Sequence, residues 1–193
     1  VKEFFNAGML QRFINSLLTG NRMSKISIAQ LFEDKKEKLK LTWVAGQRGG
    51  NTVLSDEAIA QSGQGMIGHL NFIHPDWIQV ISSDEIHYLN KLDAASLEKK
   101  INQLTHSNLA CIIVADNAEI PASILSMASA FDIPLLHSPY PGLEVIWLIR
   151  TYLGRVLAPS CSFHGVLLDV LGMGVMITGE SGVGKSELAL ELI

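Results

Sequence analysis

Two cysteines, Cys111 and Cys161, are all that the 193 residues hold, and they lie far apart among apolar or small neighbours. That excludes a disulfide framework and a cysteine metal site, and it fits a reducing cytoplasm. Of the six histidines, five (His69, His74, His87, His106 and His137) share no spacing that would gather them around a metal. No pair of carboxylates stands out as an acid–base couple. Apolar runs fall well short of the roughly 18 residues that a membrane-spanning helix needs. An excess of positive charge is missing as well, since 15 Lys and Arg stand against 19 Asp and Glu, a net −4. Nothing in that balance draws the chain to nucleic acid or to an anionic membrane, so neither is expected as a partner. The sequence shows no internal repeat and no low-complexity tract.

What is present is core-forming material. Apolar residues make up 48% and charged residues 18%, the composition of a globular protein with a sizeable interior. Residues 1–22 place Phe4, Phe5, Met9, Leu10, Phe13, Ile14, Leu17 and Leu18 at helical spacing, without the compact apolar centre of a signal peptide. The spacing predicts a helix docked on, or appended to, the rest. Met23 opens a stretch that reads as a natural start, so residues 1–22 are expected to be an extension upstream of the domain proper.

From there the pattern alternates. Residues 24–38 read as a short helix, and "LKLTWVAG" reads as a strand ended by the turn cluster of residues 46–51. Residues 77–81 read as a strand followed by a helix that starts near Ser83. "LACIIVAD" is a continuous apolar run of the kind buried on both faces of a sheet. "EIPASILSMASAF" reads as a helix with proline in its first turn, and "IPLLHS" as the next strand. This β-α-β order predicts an α/β layer architecture with a parallel component. A helix from about Leu143 to Leu157 is expected to connect two domains. The expected organisation is an extension (1–22), an amino-terminal α/β domain (23–140), a connecting helix (141–160) and the first part of a second domain (161–193).

The chemistry is concentrated at the end. Gly179-Glu180-Ser181-Gly182-Val183-Gly184-Lys185-Ser186 satisfies G-x-x-x-x-G-K-[ST], a pattern that chance would place in about one chain of this size in a hundred. A strand, "VMIT", precedes it and an apolar helical stripe follows it, which is the setting the motif demands. Glycines let successive backbone N–H groups converge on a polyphosphate without interference from a Cβ. Lys185 is placed to reach the β- and γ-phosphates and the Ser186 hydroxyl to join a magnesium ion between them. The loop therefore points to a nucleotide triphosphate and Mg²⁺, without saying which reaction follows. On its own, His164 reads as a histidine at a domain edge, with catalysis as the alternative. Asp169 reads as an edge or turn residue, with a ligand role as its alternative.

"HGVLLDVLGMGVMITGESGVGKSE" is more specific than the loop alone. The His-Gly pair lies fifteen residues before the loop, a Gly-x-Gly turn follows at Gly172 and Gly174, and Glu187 comes directly after Lys185-Ser186. The stretch resembles the HPr kinase/phosphorylase family of bacteria, and the resemblance extends back to Met23. It implies a two-domain protein, with an amino-terminal domain similar to a substrate domain of Mur ligases. The carboxy-terminal P-loop kinase domain would be similar to phosphoenolpyruvate carboxykinase. It also implies a cytoplasmic hexamer that phosphorylates a serine of the phosphocarrier HPr with ATP or pyrophosphate. The same family reverses the reaction by phosphorolysis, releasing pyrophosphate.

Matched residue by residue, the resemblance makes His164 and Lys185 active-site residues. Gly179 to Ser186 become the nucleotide-binding loop and Ser186 a magnesium ligand. The family's catalytic aspartate, magnesium-binding glutamate, active-site arginine and HPr-contacting region lie beyond the P-loop, so residues 1–193 alone are expected to lack kinase activity. Two other readings fit the residues. One is a different P-loop NTPase or small-molecule kinase, the other a non-catalytic regulatory module.

Overall fold

The computed structural model describes residues 25–72, 75–158 and 164–192. The expected helix within residues 1–22 lies outside them. Two compact units emerge, one holding the described residues up to 158 and the other holding residues 164–192.

The first unit is built on a five-stranded sheet of order β2-β7-β6-β5-β4. Its strands are β2 (Thr42–Ala45), β4 (Ile67–His69), β5 (Ile78–Ile81), β6 (Cys111–Val114) and β7 (Leu135–His137). β4, β5, β6 and β7 run parallel, and β2 closes one edge antiparallel to β7. The helices are α1 (Ile28–Leu39), α2 (Asp56–Ser62), α3 (Ser83–Asn90), α4 (Ala94–Thr105), α5 (Ala122–Ala130) and α6 (Gly142–Val156). A separate antiparallel pair, β1 (Lys25–Ser27) and β3 (Val53–Ser55), lies outside this sheet. The mixed α/β architecture with a parallel-rich sheet is the one the sequence predicts.

Alternation along the strands explains the layers. Ile78, Val80, Cys111, Ile113 and Leu136 pack with Ile28, Leu31 and Leu39 of α1 and with Val145, Ile146, Ile149 and Leu153 of α6. The intervening residues Ile81, Ile112, Val114 and Leu135 pack on the other face with α3, α4 and α5 through Ile86, Leu89, Leu104, Ile124 and Met127. Successive strand side chains point to opposite faces, so the unbroken apolar run of β6 fits a strand covered on both sides. Each such buried side chain contributes about 1.5–3 kcal/mol. The helix expected as a connector belongs to the first unit, with four of its residues inside that core.

Buried polar groups hold the loops to this frame. Gln79, on β5, is buried; its Oε1 accepts from the Asn71 N–H at 2.7 Å and its Nε2 donates to the Asp76 carbonyl at 2.9 Å. Both contacts hold the short segment that carries the chain from β4 to its parallel neighbour β5. Ser138 is buried just after β7 and donates to the Leu39 carbonyl at 2.8 Å, across 99 residues.

The second unit is simpler. Strands β8 (Gly165–Val170) and β9 (Met173–Thr178) form an antiparallel hairpin, and α7 (Lys185–Glu191) follows the glycine-rich loop. Leu168 and Ala189 are buried between hairpin and helix, whereas Leu167, Met176, Leu188 and Leu190 are exposed.

Candidate phosphate-binding site

The hairpin register assembles the site. Val170 pairs with Met173, which leaves Leu171 and Gly172 as a two-residue turn with φ of +52° and +80°. Positive φ at both central positions is the type I′ pattern, whose twist matches the flanking strands. Asp169 steadies the turn by accepting the Gly172 N–H at 2.8 Å. Its place is therefore a strand end beside the turn, as the sequence reading had it.

Followed to the other end, the same register pairs Gly165 with Thr178. His164 precedes Gly165 and Gly179 follows Thr178, so His164 sits opposite the first glycine of the loop. Gly165 itself has no room for a side chain, since a Cβ there would come 2.7 Å from the Ile177 carbonyl oxygen and 3.1 Å from the Met176 methyl. Glycine at this position lets the two strand ends close up beside the loop.

The loop then turns into α7 through Gly182 and Gly184, with φ of +85° and +82°. Left-handed backbone of this kind is the region that favours glycine. A Cβ at Gly182 would meet nothing within 4 Å, so φ rather than space calls for glycine there. Lys185 opens the helix and folds back over the loop, its Nζ donating to the Gly179 carbonyl at 3.0 Å and the Glu180 carbonyl at 2.6 Å. The ammonium thereby closes the loop on itself at the mouth of a cleft.

That cleft, of about 330 Å³, is lined by His164, Gly165, Val166, Ser181, Gly182, Gly184, Lys185, Ser186 and Glu187. Of the residues singled out in the sequence, His164, Ser181, Gly182, Gly184, Lys185 and Ser186 meet there. Gly179 and Glu180 take part through their carbonyls instead, and Val183 points outward, 61% exposed. Glu187 lines the cleft although loop chemistry alone does not call for it. Its position third in the helix, one step past Ser186, was the available signal.

Open glycine backbone, a lysine ammonium and a serine hydroxyl around one cleft fit a polyphosphate. Among the described residues no group of three His, Cys, Asp or Glu could hold a metal ion by itself. Magnesium commonly binds through one or two protein oxygens with phosphate and water completing its shell, so the donor set fits Mg²⁺ arriving with the phosphates and meeting Ser186. Of the other histidines, His69 pairs with Glu85 at 3.3 Å in the first unit, and His74 lies outside the described residues. No described helix is long and apolar enough to cross a membrane.

A strand, a glycine loop and a helix opening on Lys-Ser define a P-loop phosphate-binding protein. The chain belongs to the HPr serine kinase family: residues 26–153 match the HPr Serine kinase N terminus and residues 155–193 the HPr Serine kinase C-terminal domain. It is 55% identical over 171 residues to the HPr kinase/phosphorylase of Nitrosomonas europaea, covering 89% of this chain and 53% of that one. The protein of the same name from Bordetella pertussis is 39% identical over 168 residues, covering 87% of this chain and 54% of that one. The Chromobacterium violaceum counterpart is 39% identical over 171 residues, covering 89% and 54%. The chain thus spans about half the length of the curated relatives it matches.

Proposed function

We propose that this chain carries the phosphate-donor cleft of an ATP- or pyrophosphate-dependent protein-serine kinase and phosphorylase whose substrate is the phosphocarrier HPr. The observation that carries the reading is the meeting of His164, Lys185 and Ser186 in one cleft at the glycine loop, in a chain of the HPr serine kinase family.

The residues divide the work. Backbone N–H groups from Gly179 to Ser186 hold the phosphates, and Lys185 exchanges its two carbonyl partners for phosphate oxygens, which are stronger acceptors because they are charged. The Ser186 hydroxyl supplies an oxygen to Mg²⁺, which, when bound, neutralises charge on the transferring phosphoryl group. His164 faces the same group from the hairpin end as a hydrogen-bond donor or cation. Phosphoryl transfer is governed by positioning and electrostatics, and these residue types supply both.

The same proposal includes a cytoplasmic, hexameric assembly and the four-part division at residues 22, 140 and 160, in which the helix of the third part packs on the first domain while leading to the second. It also includes the likeness of the amino-terminal domain to a Mur-ligase substrate domain and of the kinase domain to phosphoenolpyruvate carboxykinase. The test is transfer of radiolabel from γ-labelled ATP to HPr by the full-length protein. Label on HPr with wild type and none with Lys185→Ala supports the reading, while ATP hydrolysis indifferent to HPr refutes it.

A further inference from the structure

Glu187 is an acidic residue in a cleft otherwise suited to anions. It is the third residue of α7 and lines the same cleft as His164, Lys185 and Ser186. Its Oε2 lies 2.8 Å from where a Cβ on Gly184 would stand, so the carboxylate rests over the last glycine of the loop. It forms neither a hydrogen bond nor an ion pair with any described residue. A carboxylate in the first turn of a helix is ordinarily explained by its favourable interaction with the helix end. That explanation, together with the habit of a third-position glutamate to reach back over the residue that caps its helix, predicts an effect on stability alone.

We propose that Glu187 is a specificity-determining residue that makes the cleft select metal-complexed polyphosphate over metal-free polyphosphate. This rests on the phosphate-cleft reading above. Metal-free pyrophosphate brought onto the loop meets the exposed Glu187 carboxylate as a like charge well within the screening length of the solvent. Magnesium cancels much of the phosphate charge and removes that repulsion. Lys185 and His164 attract either form and Ser186 favours the metal complex by contributing an oxygen to it, whereas Glu187 acts by disfavouring the metal-free form. Gly184 belongs to the same device, because any side chain there would push the carboxylate off the loop.

The experiment is equilibrium binding of pyrophosphate to the full-length protein, with EDTA and with excess Mg²⁺, for wild type, Glu187→Gln and Glu187→Asp. Glu187→Gln should bind metal-free pyrophosphate about tenfold more tightly, the order of one partly screened unit charge, with less than about a twofold change when Mg²⁺ is present. Glu187→Asp, which keeps the charge, should retain most of the wild-type preference for the metal complex. Equal metal-free affinity in wild type and Glu187→Gln would overturn the proposal. So would a Glu187→Gln variant that loses affinity only with Mg²⁺, which would make the residue a metal ligand. A wild type that binds neither form would refute the phosphate-cleft reading itself, a result separable from the other two.

Discussion

Gly165 pairs with Thr178 across the β8–β9 hairpin, and this single register places His164 opposite Gly179 at the start of the phosphate loop. The fifteen-residue spacing between histidine and loop then has a geometric cause. Two six-residue strands and the two-residue turn at Leu171-Gly172 lie between them, which puts Gly179 fifteen positions after His164. Adding one residue to the turn would shift the pairing by one and send the paired side chains to opposite faces, parting His164 from Gly179.

Gly165→Ala tests that register. The added methyl meets the Ile177 carbonyl oxygen at 2.7 Å, an overpacking that costs about 1–3 kcal/mol. Chemical denaturation of the full-length protein should show the loss, and nucleotide affinity should fall with it because the hairpin end beside the loop must move.

Lys185→Ala removes the ammonium that bridges the Gly179 and Glu180 carbonyls. Exposed loop carbonyls are readily solvated, so thermal stability should hardly change. Nucleotide affinity should fall about 100-fold, the scale of lost charge-assisted hydrogen bonds. Titration calorimetry with MgATP beside a thermal melt separates the two effects.

In the first unit, Asp116 fastens two helices at once. Its carboxylate accepts the Ser83 N–H at 2.8 Å and the Gly142 N–H at 2.9 Å, the first residues of α3 and α6. Asp116→Ala leaves two helix starts without that acceptor, at about 1 kcal/mol each. It also puts alanine at a φ of +59°, which aspartate tolerates better. Urea unfolding should show a loss of about 2–3 kcal/mol with the metal-dependent binding of pyrophosphate intact.

Asp34 and Tyr152 tie α1 to α6, the tyrosine hydroxyl donating to the carboxylate. That bond, helped by the Gln30 amide, holds the Asp34 carboxyl below its ordinary 3.8. Because the folded value is depressed, the contribution is present above the ordinary carboxylate range and is lost as pH falls through the lowered value. In Tyr152→Phe the Asp34 carboxyl should titrate nearer its ordinary position, and stability should depend less on pH below about pH 4. Carboxyl chemical shifts followed through an acid titration check both.

The parts legible in the sequence are those whose signals are local. "CIIV" announces a doubly covered strand, Pro121 a helix start, and the loop with its flanking strand and helix declares phosphate binding. Short strands such as β1, β3 and β4, three residues each, carry too little pattern to reveal themselves and exist because partners pair with them. The role of Asp116 depends on contacts 33 and 26 residues away, and no spacing encodes it. His164 is the intermediate case. Its residue type is uninformative, but the Leu171-Gly172 turn lies midway between it and Gly179, so reading the turn as two residues long would have brought them together. The helix of residues 142–156 looks like a linker because prolines and a glycine lead into it. Only packing reveals that Val145, Ile146, Ile149 and Leu153 belong to the first unit's core.

The most direct test is phosphorolysis. The full-length protein is mixed with serine-phosphorylated HPr, inorganic phosphate and Mg²⁺, and pyrophosphate is measured as it appears. The account predicts one pyrophosphate released per HPr dephosphorylated, with none from Lys185→Ala. Dephosphorylation without pyrophosphate, or no change in phosphorylated HPr while ATP is still hydrolysed, would contradict it.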